Sequence, residues 1–300
     1  MRRRAAIAAL LAALIASLVL PTHGSVRAEG SQPYAIREFA VSVSPDLIEQ
    51  RPVISGSLIV WGEAITSPRK MHGRRLPDGE PFTFGTLQPY TAYDLDGENL
   101  VTIELSDQGY GIYLYQMADF ARREIAPPKG ADLSRQQVQI AGDTIAWLEG
   151  SLRAGLWDVY AHDLRTDRTW AVCAHSAQQD SLALSKEFVV WRDGRHSPEG
   201  KQLLWDIYAY DLAQERESRV TAWSTIVGHL AISGHTVVCE AKAQRGAGSN
   251  YRTTTIIAFD LATSRRRTLV EFASPPVPTW VDVDGDLVVW SAFMVGDQDV

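Results

Sequence analysis

Apolar and polar residues alternate with a period of two along most of this 300-residue chain, and Gly, Asp and Ser break the alternation at short intervals. That pattern predicts consecutive antiparallel strands joined by tight turns. One phrase recurs: an apolar run, a turn, a second apolar run often ending in Trp, then a segment resembling Asp-Ile-Tyr-Ala-Tyr-Asp-Leu. Its clearest copies are VVW at 189 to 191 with DIYAYDL at 206 to 212, and IAW at 145 to 147 with DVYAHDL at 158 to 164. The turn residues Gly56, Gly97, Gly142, Lys186, Gly234 and Gly285 align the copies, at intervals of 41, 45, 44, 48 and 51. In the fourth unit the predicted strands cover 181–185, 188–191, 206–212 and 218–222.

Four strands repeated at this period make one blade each, so the expected fold is all-β: a six-bladed β-propeller of four-stranded antiparallel blades. Five positions after the turn marker stand Trp61, Thr102, Trp147, Trp191, Cys239 and Trp290. A large ring at one fixed place in each twisted sheet fills the wedge between blades, and Tyr113, Tyr160, Tyr208 and Ile257 take the same packing role one strand later. The marker glycines supply the positive φ of a tight hairpin. The last unit stops at Asp299-Val300, where the other copies continue into their third strand, while 36–43 reads as an extra strand ahead of the first unit. The expectation is that this N-terminal strand closes the last blade as its outer strand, in a propeller over 36–300 that is short, or incomplete, at its C-terminal side.

Ahead of the repeats, Arg2, Arg3 and Arg4 precede the uncharged apolar stretch 5–20, and Val26-Arg27-Ala28 offers a cleavage site. Residues 1–28 therefore read as an export signal, followed by a linker at 29–35. Sixteen apolar residues are short for a membrane span, so membrane attachment is expected only if this segment is retained. The chain carries a net charge of −7, and loss of the four arginines in 1–28 makes the remainder more acidic. An acidic surface argues against nucleic acid as a partner. Cys173 and Cys239 fall at different repeat positions and are expected as buried free thiols.

No nucleophile elbow, zinc motif or Cys pair is present, and Asp282 to Asp286 fits a hairpin turn better than a calcium loop. No catalytic residue, metal site or cofactor is therefore assigned. Two loops between second and third strands are unusually long, 192–205 and 240–252, and length marks loops that carry function. They hold Arg192, Asp193, Arg195, His196, Arg245, Tyr251 and Arg252, a locally basic group suited to an anionic partner through Arg forks. Arg51, Gln137, Gln179, Asp180 and His229 stand where the first strands begin, as polar candidates for the channel mouth.

The ISG turn and LIVW at 54 to 61, LAISG with TVVC at 230 to 239, VVWRDGR at 189 to 195 and DIYAYDL at 206 to 212 resemble the TolB-like β-propellers of exported bacterial proteins. The resemblance covers about residues 36 to 300. It implies an exported binding scaffold, periplasmic, cell-surface or secreted, that acts through protein contacts; the basic loops add an anionic glycan as a second kind of partner, and a monomer is expected. The alternative is an extracellular carbohydrate-active hydrolase or lyase at the channel mouth, for which Asp180 and His229 are the acid and base to examine.

Overall fold

The computed structural model describes residues 49–63, 70–85, 90–151, 153–197, 204–222, 226–243, 253–272 and 277–293. The first sheet contains β1 (Glu49–Ser55), β2 (Leu58–Glu63), β3 (Lys70–Arg75) and β4 (Phe82–Gly85). The second contains β5 (Tyr90–Asp96), β6 (Asn99–Ser106), β7 (Gly109–Gln116) and β8 (Ala121–Ala126). In the third are β9 (Leu133–Ala141), β10 (Thr144–Ser151), β11 (Leu156–Asp163) and β12 (Arg168–Cys173). The fourth comprises β13 (Gln179–Leu184), β14 (Phe188–Asp193), β15 (Asp206–Asp211) and β16 (Arg216–Arg219). The fifth follows with β17 (Ile226–Ser233), β18 (Thr236–Ala243), β19 (Thr253–Asp260) and β20 (Arg265–Phe272). Two described strands, β21 (Val277–Asp284) and β22 (Leu287–Phe293), form the sixth.

Every sheet is an antiparallel meander in chain order, and the first strand of each packs against the first strand of the next, from β1 through β21. This is the blade arrangement the repeat period predicts. The segments expected as signal and linker, 1–28 and 29–35, and the expected closing strand at 36–43 lie outside the described residues. Among the described residues, no helix is long and apolar enough to cross a membrane.

A blade has two faces, and each buries its apolar alternation against a different neighbour. Five separate cores result, one per blade junction. In β10, Trp147 joins the core shared with the second blade, whereas its neighbour Leu148 joins the core shared with the fourth. The ring five positions after the marker faces the preceding blade and pairs directly across the sheet with the third strand: Trp61 opposite His72, Trp147 opposite Tyr160, Trp191 opposite Tyr208. These pairs stack at centroid distances of 5.7, 6.0 and 6.0 Å. Thr102 and Cys239 take the same register opposite Tyr113 and Ile257. Trp290 departs from the pattern: it is 41 % exposed, in the sheet with two described strands.

The turns also link blades. All five marker glycines have φ between +53° and +58°. The Gly97 amide donates to Ser55 Oγ, the Gly142 amide to Asp96 Oδ2 and the Gly285 amide to Ser233 Oγ, so the residue before one blade's glycine caps the glycine of the next. Between third and fourth strands, Asp163, Asp211 and Asp260 each accept two backbone amides through Oδ1. That side-chain turn is why β16 starts at Arg216, two residues before the predicted strand. The strand ends at Arg219 rather than at the predicted 222, and Thr221 turns inward to accept the Ile207 amide through Oγ1. Cys173 and Cys239 are free and buried, as expected, and burial pushes both thiols up to about 12.

Candidate functional site: the channel cavity

Each first strand carries a bulge near its start, where two residues face one on the second strand. Arg51, Gln137 and Ser181 sit in these bulges with φ of +51°, +54° and +52°. A non-glycine residue held in that region costs about 1–3 kcal/mol, so packing must over-determine it. The neighbouring blade supplies part of the restraint: the Leu182 amide, in the fourth blade's bulge, donates to Gln137 Oε1 at 2.9 Å. Bulges re-aim side chains, and these ones help shape the wall of a cavity.

The cavity measures about 880 Å³. It lies where first strands begin and second strands end, the side from which the long loops depart. Arg51, Arg135 and Arg192 contribute guanidinium groups and His229 an imidazole, and among the described residues no carboxylate lines it. A second cavity of about 810 Å³ adjoins it, shares Tyr93, Gln139, His229 and Trp280, and carries Asp94 and Asp282. The wall therefore presents guanidinium groups toward one mouth and carboxyls further along.

Of the five predicted channel residues, Arg51, Gln137 and His229 line the cavity. Arg51 is exposed, donates from Nη1 to the Thr91 carbonyl at 3.2 Å, and pairs with no carboxylate among the described residues. His229 stacks on Trp280 at a centroid distance of 3.8 Å. Asp180 and Gln179 are outside the lining. Both Asp180 oxygens accept from Arg192, at 2.7 and 2.8 Å, and Gln179 is buried with its amide donating to the Ala177 carbonyl. Burial raises the Asp180 carboxyl, while the Arg192 bonds and the His229 charge oppose it.

The residues expected in the fourth-blade loop come together, but in internal pairs, and the strand β14 runs on through Arg192 and Asp193 so that the loop begins only after them. Arg192 also donates to the Gly228 carbonyl and lies 4.9 Å over the Trp205 ring. Arg195 grips buried Asp193 through Nε and Nη2 at 2.9 and 2.7 Å and reaches Glu217 at 2.8 Å. His196 hydrogen-bonds the Tyr208 hydroxyl. Their charges are spent on holding the blade, so substituting Arg195 tests the fold before it tests a partner. Arg245, Tyr251 and Arg252 lie outside the described residues.

One further periodicity takes on meaning only in the folded protein. Seven positions after the marker stand Glu63, Glu104, Glu149 and Asp193, two residues beyond the ring position, and all four are buried. Each has a cationic or ring partner from another part of its surroundings. Glu63 meets His72 at 2.6 Å, and Glu104 accepts from Arg122 and the Tyr115 hydroxyl. Glu149 accepts from Lys129 and Arg135, both at 2.8 Å, and Asp193 from Arg195 and Trp191. Burial works to raise the Glu149 and Asp193 carboxyls, but these bonds outweigh it and hold both below the usual range.

Asp94 behaves oppositely. Burial pushes it up to about 6, aided by the nearby Asp96 and Asp282 charges and opposed by bonds from the Ile140 and Leu95 amides. A carboxyl raised on folding keeps its proton where the unfolded chain has lost it, so its contribution falls as pH rises from about 4 through about 6. Asp94→Asn retains an acceptor for the Ile140 amide. The variant is expected to be more stable than the parent by about 2–3 kcal/mol at pH 7.5 and to lose that advantage at pH 3.5, read by thermal unfolding at both. An advantage of equal size at both pH values would contradict the assignment.

The sequence matches no protein-family model and no curated protein. Solved structures do match. The β-propeller domain of the Trilobed protease from Pyrococcus furiosus aligns with TM-score 0.63 and 9 % identity, over 85 % of this chain and 80 % of that one. An oligogalacturonate lyase solved with manganese aligns with TM-score 0.57 and 12 % identity, over 77 % of this chain and 65 % of that one. A putative TolB from Agrobacterium tumefaciens aligns with TM-score 0.51 and 12 % identity, over 76 % and 82 %. At such identities the likeness is one of architecture, and the chain is a β-propeller of the general kind that TolB carries.

Proposed function

We propose that this chain is an exported, non-catalytic scaffold that binds an anionic partner, a protein segment or a glycan, at the cationic mouth of its channel. The observation that carries this reading is the cavity of about 880 Å³, whose wall holds Arg51, exposed and paired with no carboxylate among the described residues, and no carboxylate among its described lining residues. In a chain of net charge −7, a cation left uncompensated in such a wall draws anions to that place. Export rests on the signal-like residues 1–28. Catalysis by Asp180 with His229 would require Asp180 to release both of its bonds to Arg192, which favours binding over chemistry.

Binding of residues 29–300 to polyglutamate and to polygalacturonate, at low and high salt, tests the proposal. Capture of at least one polymer that weakens with salt is expected. Arg51→Glu should reduce it at least about tenfold, since the exposed charge makes few structural bonds. Equal binding by Arg51→Glu, with unfolding unchanged, would move the site elsewhere.

A further inference from the structure

The cavity wall carries more than charge. Trp280 is 63 % exposed, one face of its indole covered by the His229 ring, and it lines both adjoining cavities. A large ring held in place by stacking yet left open to the channel offers an apolar, electron-rich face that attracts polarised C–H groups. Around it the wall is rich in neutral hydrogen-bonding side chains, among them Thr91, Tyr93, Gln136, Gln139 and Ser181. Those groups suit a ligand with many hydroxyls better than an aliphatic one.

Arg135 adds an independent sign. Its side chain is fully buried, its Nε is bound to Glu149, and its Nη1 donates to the carbonyls of Tyr110, Ala126 and Pro127. Its Nη2 is buried with no hydrogen-bond partner among the described residues, in a residue that forms part of the cavity wall. Buried guanidinium donors are ordinarily satisfied, so one left over beside a cavity points to a ligand acceptor. Arg51 stands in the same wall with donors beyond its Thr91 bond.

We infer that the channel cavity takes a carboxylated sugar, its ring against Trp280 and its carboxylate toward the guanidinium groups of Arg51 and Arg135. This rests on the reading of the cavity as the binding site and adds to it the chemical class of the ligand. An acidic peptide would satisfy the arginines but has no ring of C–H groups to offer the indole. A neutral sugar would stack and leave the arginines unanswered.

The test is calorimetric titration of residues 29–300 with three probes: a galacturonate trisaccharide, the corresponding galactose trisaccharide and a triglutamate peptide. The acidic trisaccharide is expected to bind at least about tenfold more tightly than either other probe. Trp280→Ala and Arg51→Gln, both at exposed side chains, should each weaken it by about tenfold or more with the unfolding midpoint unchanged. Arg51→Gln should also narrow the preference over the galactose probe, a change that general loosening of the fold would not produce. If triglutamate binds as tightly as the acidic trisaccharide and Trp280→Ala alters neither, the sugar assignment falls while the anionic cavity stands. If no anionic probe binds the parent protein, both readings fall.

Discussion

Truncating Glu149 to Ala is expected to destabilise the protein by about 3–5 kcal/mol, the range seen when one partner of a buried ion pair is removed. Glu149 is 3 % exposed and Arg135 2 %, so the guanidinium would be left charged and desolvated between the second and third blades. Lys129, the other partner, reaches water with half of its side chain and would re-solvate at little cost. The asymmetry makes Glu149→Ala more damaging than Lys129→Ala, where exposed pairs are worth about 1 kcal/mol or less. The effect has a definite pH sign. The Glu149 carboxyl is held below its ordinary value, so its stabilisation is present above the unfolded pKa and lost as pH falls through the folded one. Urea unfolding from neutral to acid pH should therefore show the two proteins converging in acid. A loss under about 1 kcal/mol at pH 7 would mean that water reaches Arg135.

Trp191→Ala is expected to cost about 3–5 kcal/mol, and Trp290→Ala much less, although the two residues hold the same place in the repeat. Trp191 is fully buried at the junction of the third and fourth blades, stacks on Tyr208 and donates to Asp193 at 3.1 Å. Truncation leaves a cavity in a close-packed core and removes a donor from a buried carboxylate. Trp290, 41 % exposed, has less packing to lose than the fully buried Trp191. Paired denaturant curves would decide it, and equal losses at both positions would mean that the sixth sheet is as tightly packed as the fourth.

Much of the architecture was legible before any coordinates. The marker glycines, the ring positions and the Asp turns recur at the blade period, and each reflects a local constraint: a positive φ, a cross-strand neighbour, a side chain that caps its own turn. The periodic acids at 63, 104, 149 and 193 were equally visible as spacing, but their meaning was not. An acidic residue at a strand end reads as solvent-facing until the folded blade brings His72, Arg122, Arg135 or Arg195 onto it. The candidate site divides the same way. Arg51, Gln137 and His229 stand at the start of first strands and line the cavity, whereas the exposure of Trp280 is not written in the pattern.

The basic loop of the fourth blade shows the limit most clearly. Arg192, Arg195 and His196 looked like a surface for anions, yet Arg192 is committed to Asp180, Arg195 to Asp193 and Glu217, and His196 to Tyr208. The sequence by itself determined the all-β repeat, its turns and which residues face a blade junction, because periodicity two and turn chemistry act over a few residues. Only the tertiary structure decided which charges are spent and which remain available. Ion pairing requires N and O atoms within about 3 Å, and that distance is set when the meander of one blade brings its strands side by side, as for Asp180 and Arg192 or Arg195 and Glu217.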